Sequence, residues 1–288
     1  MKCSSIIGAF AVVLVTTASP LEGQLPEHLR DYPLAGMRSS GDLVAPFFDG
    51  WYDNGDGTVT YSFGFLNRNT EEIVDIPIGE NNYVEPSEYN GGQPTHFPFY
   101  NRGGFHGRRE RGSWGVTVPK GTEVWWTINH GGQSYSVPGR ATSMAYELSF
   151  AIAAAGSQHP GIKFQNEGPE SHGPGGVWAN RIQASVGTPV TVSAMVRDRG
   201  DRYEFDTPSN TYPVRAEFLT HQGPAPIDFD RARVNVREQG WGTATTQATF
   251  TEPGDYVIRI RADNFRAPDS KFDNMCCWSS GYVPVTVR

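Results

Sequence analysis

Hydrophobic and polar residues alternate along most of this chain with a period of two, the signature of strands with one buried face. In "TVTYSFGFL", Val59, Tyr61, Phe63 and Phe65 fall on one face, and Thr58, Thr60 and Ser62 on the other. "EEIVDIPIG" follows after a turn at "NRNT". Trp114, Val116 and Val118 are in phase in "SWGVTVP", as are Val124, Trp126 and Ile128 in "TEVWWTI". These segments predict one antiparallel β-sandwich over residues 46–150, entered from an extended segment at 24–45. Residues 151–180, rich in Gly, Pro and His, read as a linker or long loop. Only "SFAIAAAG", Ser149 to Gly156, has the composition of a short helix.

Alternation resumes beyond residue 181. Val190, Val192, Ala194 and Val196 share a face, then Val214, Ala216 and Phe218, then Tyr256, Ile258, Ile260 and Ala262. "GYVPVTVR" closes the chain as a last strand. Tyr256 lies just past a Pro253-Gly254 turn, where a tyrosine corner of an immunoglobulin-type sandwich would lie. The expected fold is therefore all-β, two β-sandwich domains, the second (181–288) immunoglobulin-like.

"VGTPVTVSAMVRDRG", "TFTEPGDYVIRIRADN" and the terminal "VPVTV" together resemble bacterial immunoglobulin-like modules of the PKD type. The resemblance covers roughly the last 110 residues. It implies a spacer, adhesion unit or binding appendage in an exported protein. It departs from the simplest members at "NFRAPDSKFDNMCCWSSG", an insertion before the last strand. The first domain is similar to uncharacterised exported bacterial proteins, which implies no activity.

Composition narrows the function class. The formal net charge of −7 disfavours a nucleic-acid or anionic-membrane partner. The N-terminus reads as a signal peptide over residues 1–23. Lys2 precedes the apolar run Ile6 to Val15, too short to span a bilayer, and small residues follow, with cleavage after Ala18 or near Gly23. No later stretch is apolar enough for a membrane span, so the expected location is periplasmic or secreted. Of the three cysteines, Cys276 and Cys277 are neighbours downstream of the signal. A strained vicinal disulfide, an intermolecular bond or two buried thiols all fit them.

Candidate chemistry is sparse. "DNGDG" at Asp53–Gly57 looks like a calcium loop, but its twelfth position is Gly64, which offers no ligand. A hairpin turn accounts for every residue in it. His96, His106 and His130 match no metal-ligand spacing, and no cofactor fingerprint, P-loop or nucleophile elbow occurs, so neither metal nor cofactor is expected. Asp198, Asp201, Asp263, Asp269 and Asp273 are candidates for a calcium cluster at one end of the second sandwich. The remaining candidates are ligand contacts. Arg102, Arg108, Arg109 and Arg111 make a basic patch in "NRGGFHGRRERG", suited to a carboxylated or sulfated glycan or an acidic partner. Trp125 and Trp126 are adjacent, so one faces the core and the other can stack on a sugar. The function expected is an exported non-catalytic binding or structural module contacting glycans or other exported proteins. The alternative is a hydrolase of extracellular polymer carrying an immunoglobulin-like appendage.

Overall fold

The computed structural model describes residues 36–100, 109–148, 158–171, 173–199, 214–238, 240–264 and 277–288. The expected signal peptide and the short helix at 149–156 lie outside them. Strand β1 (Val44–Asp53) turns through residues 54–57 into β2 (Thr58–Asn67). The turn is self-contained. Asp53 Oδ1 accepts the Gly55 amide at 2.9 Å, Asp56 Oδ1 accepts the Thr58 amide at 3.0 Å, and Gly55 and Gly57 have φ of +77° and +90°. The residues that resembled a calcium loop thus cap a hairpin with their own carboxylates.

The segment expected as a strand at 71–79 shrinks to the two-residue β3 (Val74–Asp75). It pairs with β5 (His96–Phe97), while β4 (Asn82–Glu85) lies between them in sequence. Strand β6 (Arg109–Pro119) completes the sheet β1-β2-β6. Strands β7 (Val124–His130) and β8 (Gln133–Gly139) form the facing sheet β4-β7-β8. The in-phase residues meet between the sheets. Phe63 stacks on Trp114 at 5.0 Å, and Trp126 stands edge-on to both, at 6.0 and 5.6 Å. Such ring pairs contribute about 0.5–1.5 kcal/mol each beyond their buried area. The buried Asn82 joins this core to the loop above it. Its Nδ2 donates to the Ile76 and Pro94 carbonyls, and its Oδ1 accepts the Trp126 indole N–H at 2.9 Å.

The second sandwich begins inside the stretch expected to be a linker, with β9 (Gly161–Lys163) and β10 (Val177–Trp178). It continues with β11 (Ile182–Ala184), β12 (Val190–Arg197), β13 (Val214–Gln222), β14 (Ile227–Phe229), β15 (Arg233–Val236), β16 (Gly242–Phe250), β17 (Gly254–Asp263) and β18 (Trp278–Val287). One sheet runs β14-β16-β12-β9; the other runs β10-β18-β17-β13-β15, with β11 also parallel to β18. This is the strand arrangement of an immunoglobulin-type sandwich. Its core is built from the inward residues of β12, β13, β16, β17 and β18. Tyr256 Oη donates to the Glu252 carbonyl at 3.0 Å, four residues upstream, closing a tyrosine corner. The ring leans on Gly223, where an added Cβ would come within 2.2 Å of Tyr256 Cδ1.

The two cores meet through charge. Residues Met37–Arg288 form one compact unit, and nearly all of β17 is buried on both faces. Tyr256, Ile258, Ile260 and Ala262 point into the second core. Arg259, Arg261 and Asp263 point at the first sandwich and are 2%, 8% and 2% exposed. Arg261 holds Glu110 of β6 at 2.8 Å and also pairs with Glu217 of β13. Glu217 receives Arg233 at 2.7 Å, and Asp263 receives Arg215 at 3.1 Å. Asp263, a member of the candidate calcium cluster, is therefore committed to arginines; Asp201, Asp269 and Asp273 lie outside the described residues.

A bulge aims β6 at this network. The pairing of β2 with β6 shifts between Phe63 and Phe65, opposite Arg111–Ser113. Gly112 (φ +57°) sits in the bulge, accepts Arg259 Nη2 on its carbonyl, and has no room for a side chain: a Cβ would lie 2.5 Å from the Trp278 ring. A second seam joins β13 to the loop before β5. Gln222 Nε2 donates to the Gly91 and Gln93 carbonyls at 2.9 and 2.8 Å, and His221 Nε2 to the Gly92 carbonyl at 2.8 Å.

Three outcomes are expected. Replacing Arg261 by Met removes the guanidinium that two buried carboxylates, Glu110 and Glu217, share, and lowers unfolding stability by about 4 kcal/mol in urea titrations. Gly112→Ala costs about 3 kcal/mol, from positive φ plus overlap with Trp278. Acid weakens the fold in two stages. Burial, then Arg259, holds the His221 imidazole down to about 3, below its ordinary 6.5. The unfolded chain therefore takes up that proton first, and stability falls as pH drops from 6.5 towards 3. Glu217 is held at about 2 against an ordinary 4.5: burial opposes its charge, but Arg261, Arg233 and Arg215 outweigh it. Its contribution is complete above pH 4.5 and lost towards 2. Urea midpoints across pH should show His221→Gln flattening the limb between pH 6.5 and 4.5 and making the fall from 4.5 towards 3 shallower, with the Glu217 loss remaining.

Candidate functional site

Arg109 and Arg111 do not stand out on a solvated loop; they belong to the start of β6. Arg109 pairs with Asp49, whose side chain is 1% exposed, and its guanidinium lies 4.4 Å from the Phe47 ring centre. The Gly112 amide donates to the other Asp49 oxygen at 2.7 Å. Burial pushes the Asp49 carboxyl up, and Arg109 and the Gly112 amide pull it back only in part. Burial, and then the neighbouring Arg109, weakens the hold of Arg111 on its proton. The described part of the basic patch is thus half-buried and largely matched by Asp49. Arg102 and Arg108 lie outside the described residues.

The tryptophan pair divides as alternation requires. Trp126 is 0% exposed with its N–H bound to Asn82, so it packs the core and presents no surface to a ligand. Trp125, on the opposite face of β7, is 37% exposed. Cys277 is buried and disulfide-bonded, while Cys276 lies outside the described residues.

What the structure does assemble is a polar cleft of about 840 Å3 on the outer face of the first sandwich. Its floor is the polar side of the β1–β2 hairpin and β6, namely Asn54, Thr60 and Thr117; its wall is residues 169–171 and 173–177. The floor side chains form a chain. Asn54 Nδ2 donates to Thr60 Oγ1 at 3.0 Å, and Thr60 and Thr117 hydroxyls lie 2.8 Å apart. Gly115 and Gly175 let the wall approach: a Cβ on Gly115 would come within 2.8 Å of the Pro174 backbone, and one on Gly175 within 2.8 Å of Thr117 Oγ1. The Gly173 carbonyl accepts the Ser280 amide at 3.1 Å, tying the wall to β18.

Two carboxylates border the cleft. Asp53 is held below the usual carboxylate range, chiefly by Lys120, whose Nζ is 2.7 Å away. Glu170 is gripped by Arg197 at 2.9 Å. At the closed end, His159 packs edge-on to Tyr52 at 4.5 Å, and its Nδ1 donates to the Trp278 carbonyl at 2.8 Å. Burial, and then the charge on Asp49, pushes the Tyr52 phenol well up. His159 lies in the stretch 151–180 that the sequence presents as a linker or long loop, where nothing singles it out. The signal available was the Gly-Pro-Gly-Gly run at 173–176, which allows backbone to lie against a sheet.

Among the described residues no helix is long and apolar enough to cross a membrane. No family description matches the chain, and no curated protein matches it. Among solved structures, the D0-D1 domain of intimin is similar at 10% identity, covering 85% of this chain and all of that one, with a TM-score of 0.27. A protein of unknown function from Porphyromonas gingivalis W83 is similar at 10% identity over 84% of this chain and 99% of that one, at 0.24. WR4, a member of the MSP family in C. elegans, is similar at 9% identity over 38% of this chain and 92% of that one, at 0.23. At such scores these likenesses carry no functional argument.

Proposed function

We propose that this protein is an exported, non-catalytic binding module that takes an uncharged glycan in the polar cleft beside the β1–β2 hairpin. The observation that carries the reading is the linked amide and hydroxyl floor of Asn54, Thr60 and Thr117, facing a cleft of about 840 Å3. Sugar hydroxyls both donate and accept, and a row of side chains with the same double capacity matches them. Export is supported by the N-terminal apolar run and by the disulfide at Cys277, which fits an oxidising compartment. The PKD-type reading of residues 181–288 belongs to the same proposal and is supported by the strand order and the tyrosine corner.

Glycoside hydrolysis would need a carboxyl that keeps its proton near neutrality beside the bound sugar. Lys120 holds Asp53 ionised, and Arg197 pairs with Glu170, so neither carboxylate bordering the cleft is arranged as that acid. The part of the arginine patch near Asp49 is already paired, which favours an uncharged glycan over a sulfated one.

A glycan array probed with the full chain tests this, alongside Thr117→Trp. Thr117 is exposed but meets Thr60 and the Gly175 wall, so the larger side chain should cost about 1–3 kcal/mol with the fold retained, read from the urea midpoint. The indole would fill the cleft floor, and binding to uncharged glycans should fall at least about tenfold, or about 1.4 kcal/mol. Binding that survives Thr117→Trp but is lost in Arg111→Gln would move the site to the arginine patch and overturn the proposal.

A further inference from the structure

A second cavity, of about 230 Å3, opens at the joint between the two sandwiches. Its apolar walls come from Phe65 of β2 and from Phe218, Ile227 and Phe229 of the second sandwich. Its polar end holds Glu110, His221 and Arg259. Size comes first: a cavity of about 150 Å3 accepts a benzene ring. One six-membered ring with a short substituent therefore fits.

Charge comes next. The Glu110 carboxylate and the Arg259 guanidinium in the lining are one anion and one cation. Arg261 holds Glu110 at 2.8 Å, while Arg259 gives its hydrogen bonds to the Gly112 carbonyl and, at 3.2 Å, to Ser280 Oγ. A charged ligand would lose its hydration for a wall that is already balanced. An uncharged one loses far less.

His221 supplies the direction. It is 3% exposed, and its Nε2 lies 2.8 Å from the Gly92 carbonyl. A carbonyl only accepts, so Nε2 carries the proton and Nδ1 presents a lone pair. The imidazole is neutral near pH 7, because burial and Arg259 hold it down to about 3. Nδ1 has no hydrogen-bond partner among the described residues. His221 lines the cavity, so a ligand O–H can donate to that lone pair.

We propose that this cavity binds a small uncharged aromatic alcohol or phenol, its ring against Phe65 and Phe218 and its hydroxyl donated to His221 Nδ1. The site is separate from the polar cleft and does not depend on it.

The test is fluorine NMR of the full chain titrated with 4-fluorophenol, with fluorobenzene and 4-fluorobenzoate as comparison probes. Saturable binding of 4-fluorophenol is expected near about 1 mM, as its few heavy atoms allow. Fluorobenzene should bind about fivefold more weakly for want of one hydrogen bond, and 4-fluorobenzoate not at all. Leu219→Trp, at a half-buried wall position, should abolish binding with the melting temperature unchanged. His221→Phe should reduce 4-fluorophenol to the level of fluorobenzene, and Thr117→Trp should leave its binding intact. If His221→Phe does not fold, Leu219→Trp and the fluorobenzene comparison decide. The proposal is overturned by absence of saturable binding, by fluorobenzene equalling 4-fluorophenol, by tighter binding of 4-fluorobenzoate, or by binding that persists in Leu219→Trp.

Discussion

Arg261 is the group around which the rest of this molecule has to be arranged. A guanidinium taken out of water costs several kcal/mol unless carboxylates come with it. It receives Glu110 from the first sandwich and Glu217 from its own, with Asp263 nearby. Glu110 can reach it only because β6 bulges opposite Gly64, where an added Cβ would meet the Glu110 carbonyl oxygen at 2.3 Å. The bulge in turn puts the Gly112 carbonyl against Arg259 and the Gly112 amide against Asp49. One buried charge thus ties together the register of β6, two glycines and the seating of β17.

The individual strands were readable because each core obeys a period of two. Val59, Tyr61, Phe63 and Phe65 lie in one core and Tyr256, Ile258, Ile260 and Ala262 in the other, as alternation requires. The joint was not readable, for a reason in the same pattern. "YVIRIRAD" alternates apolar with charged, which ordinarily means core on one side and water on the other. Here the charged side is covered by β6, and nothing in the local pattern distinguishes a solvated arginine from one that has found two glutamates. The two strands within residues 151–180 were hidden similarly, since three-residue β9 and two-residue β10 are too short to show a period.

The cleft was legible only in fragments. Thr58, Thr60 and Ser62 were correctly seen as the polar face of β2, but that face gains a wall from residues more than a hundred positions away. The arginines drew attention because charge density is visible in a sequence, whereas the buried Asp49 that matches Arg109 precedes it by sixty positions. Trp125 and Trp126 were separable by alternation alone, and the fully buried one is the one in phase with Val124 and Ile128.

The setting of the ion pairs has a further consequence. Charges at a protein surface are screened by dissolved salt over about 10 Å at 0.1 M, and weaken as ionic strength rises. Arg261 and its partners are surrounded by protein rather than electrolyte. The union of the two sandwiches therefore keeps its strength from dilute to saline media.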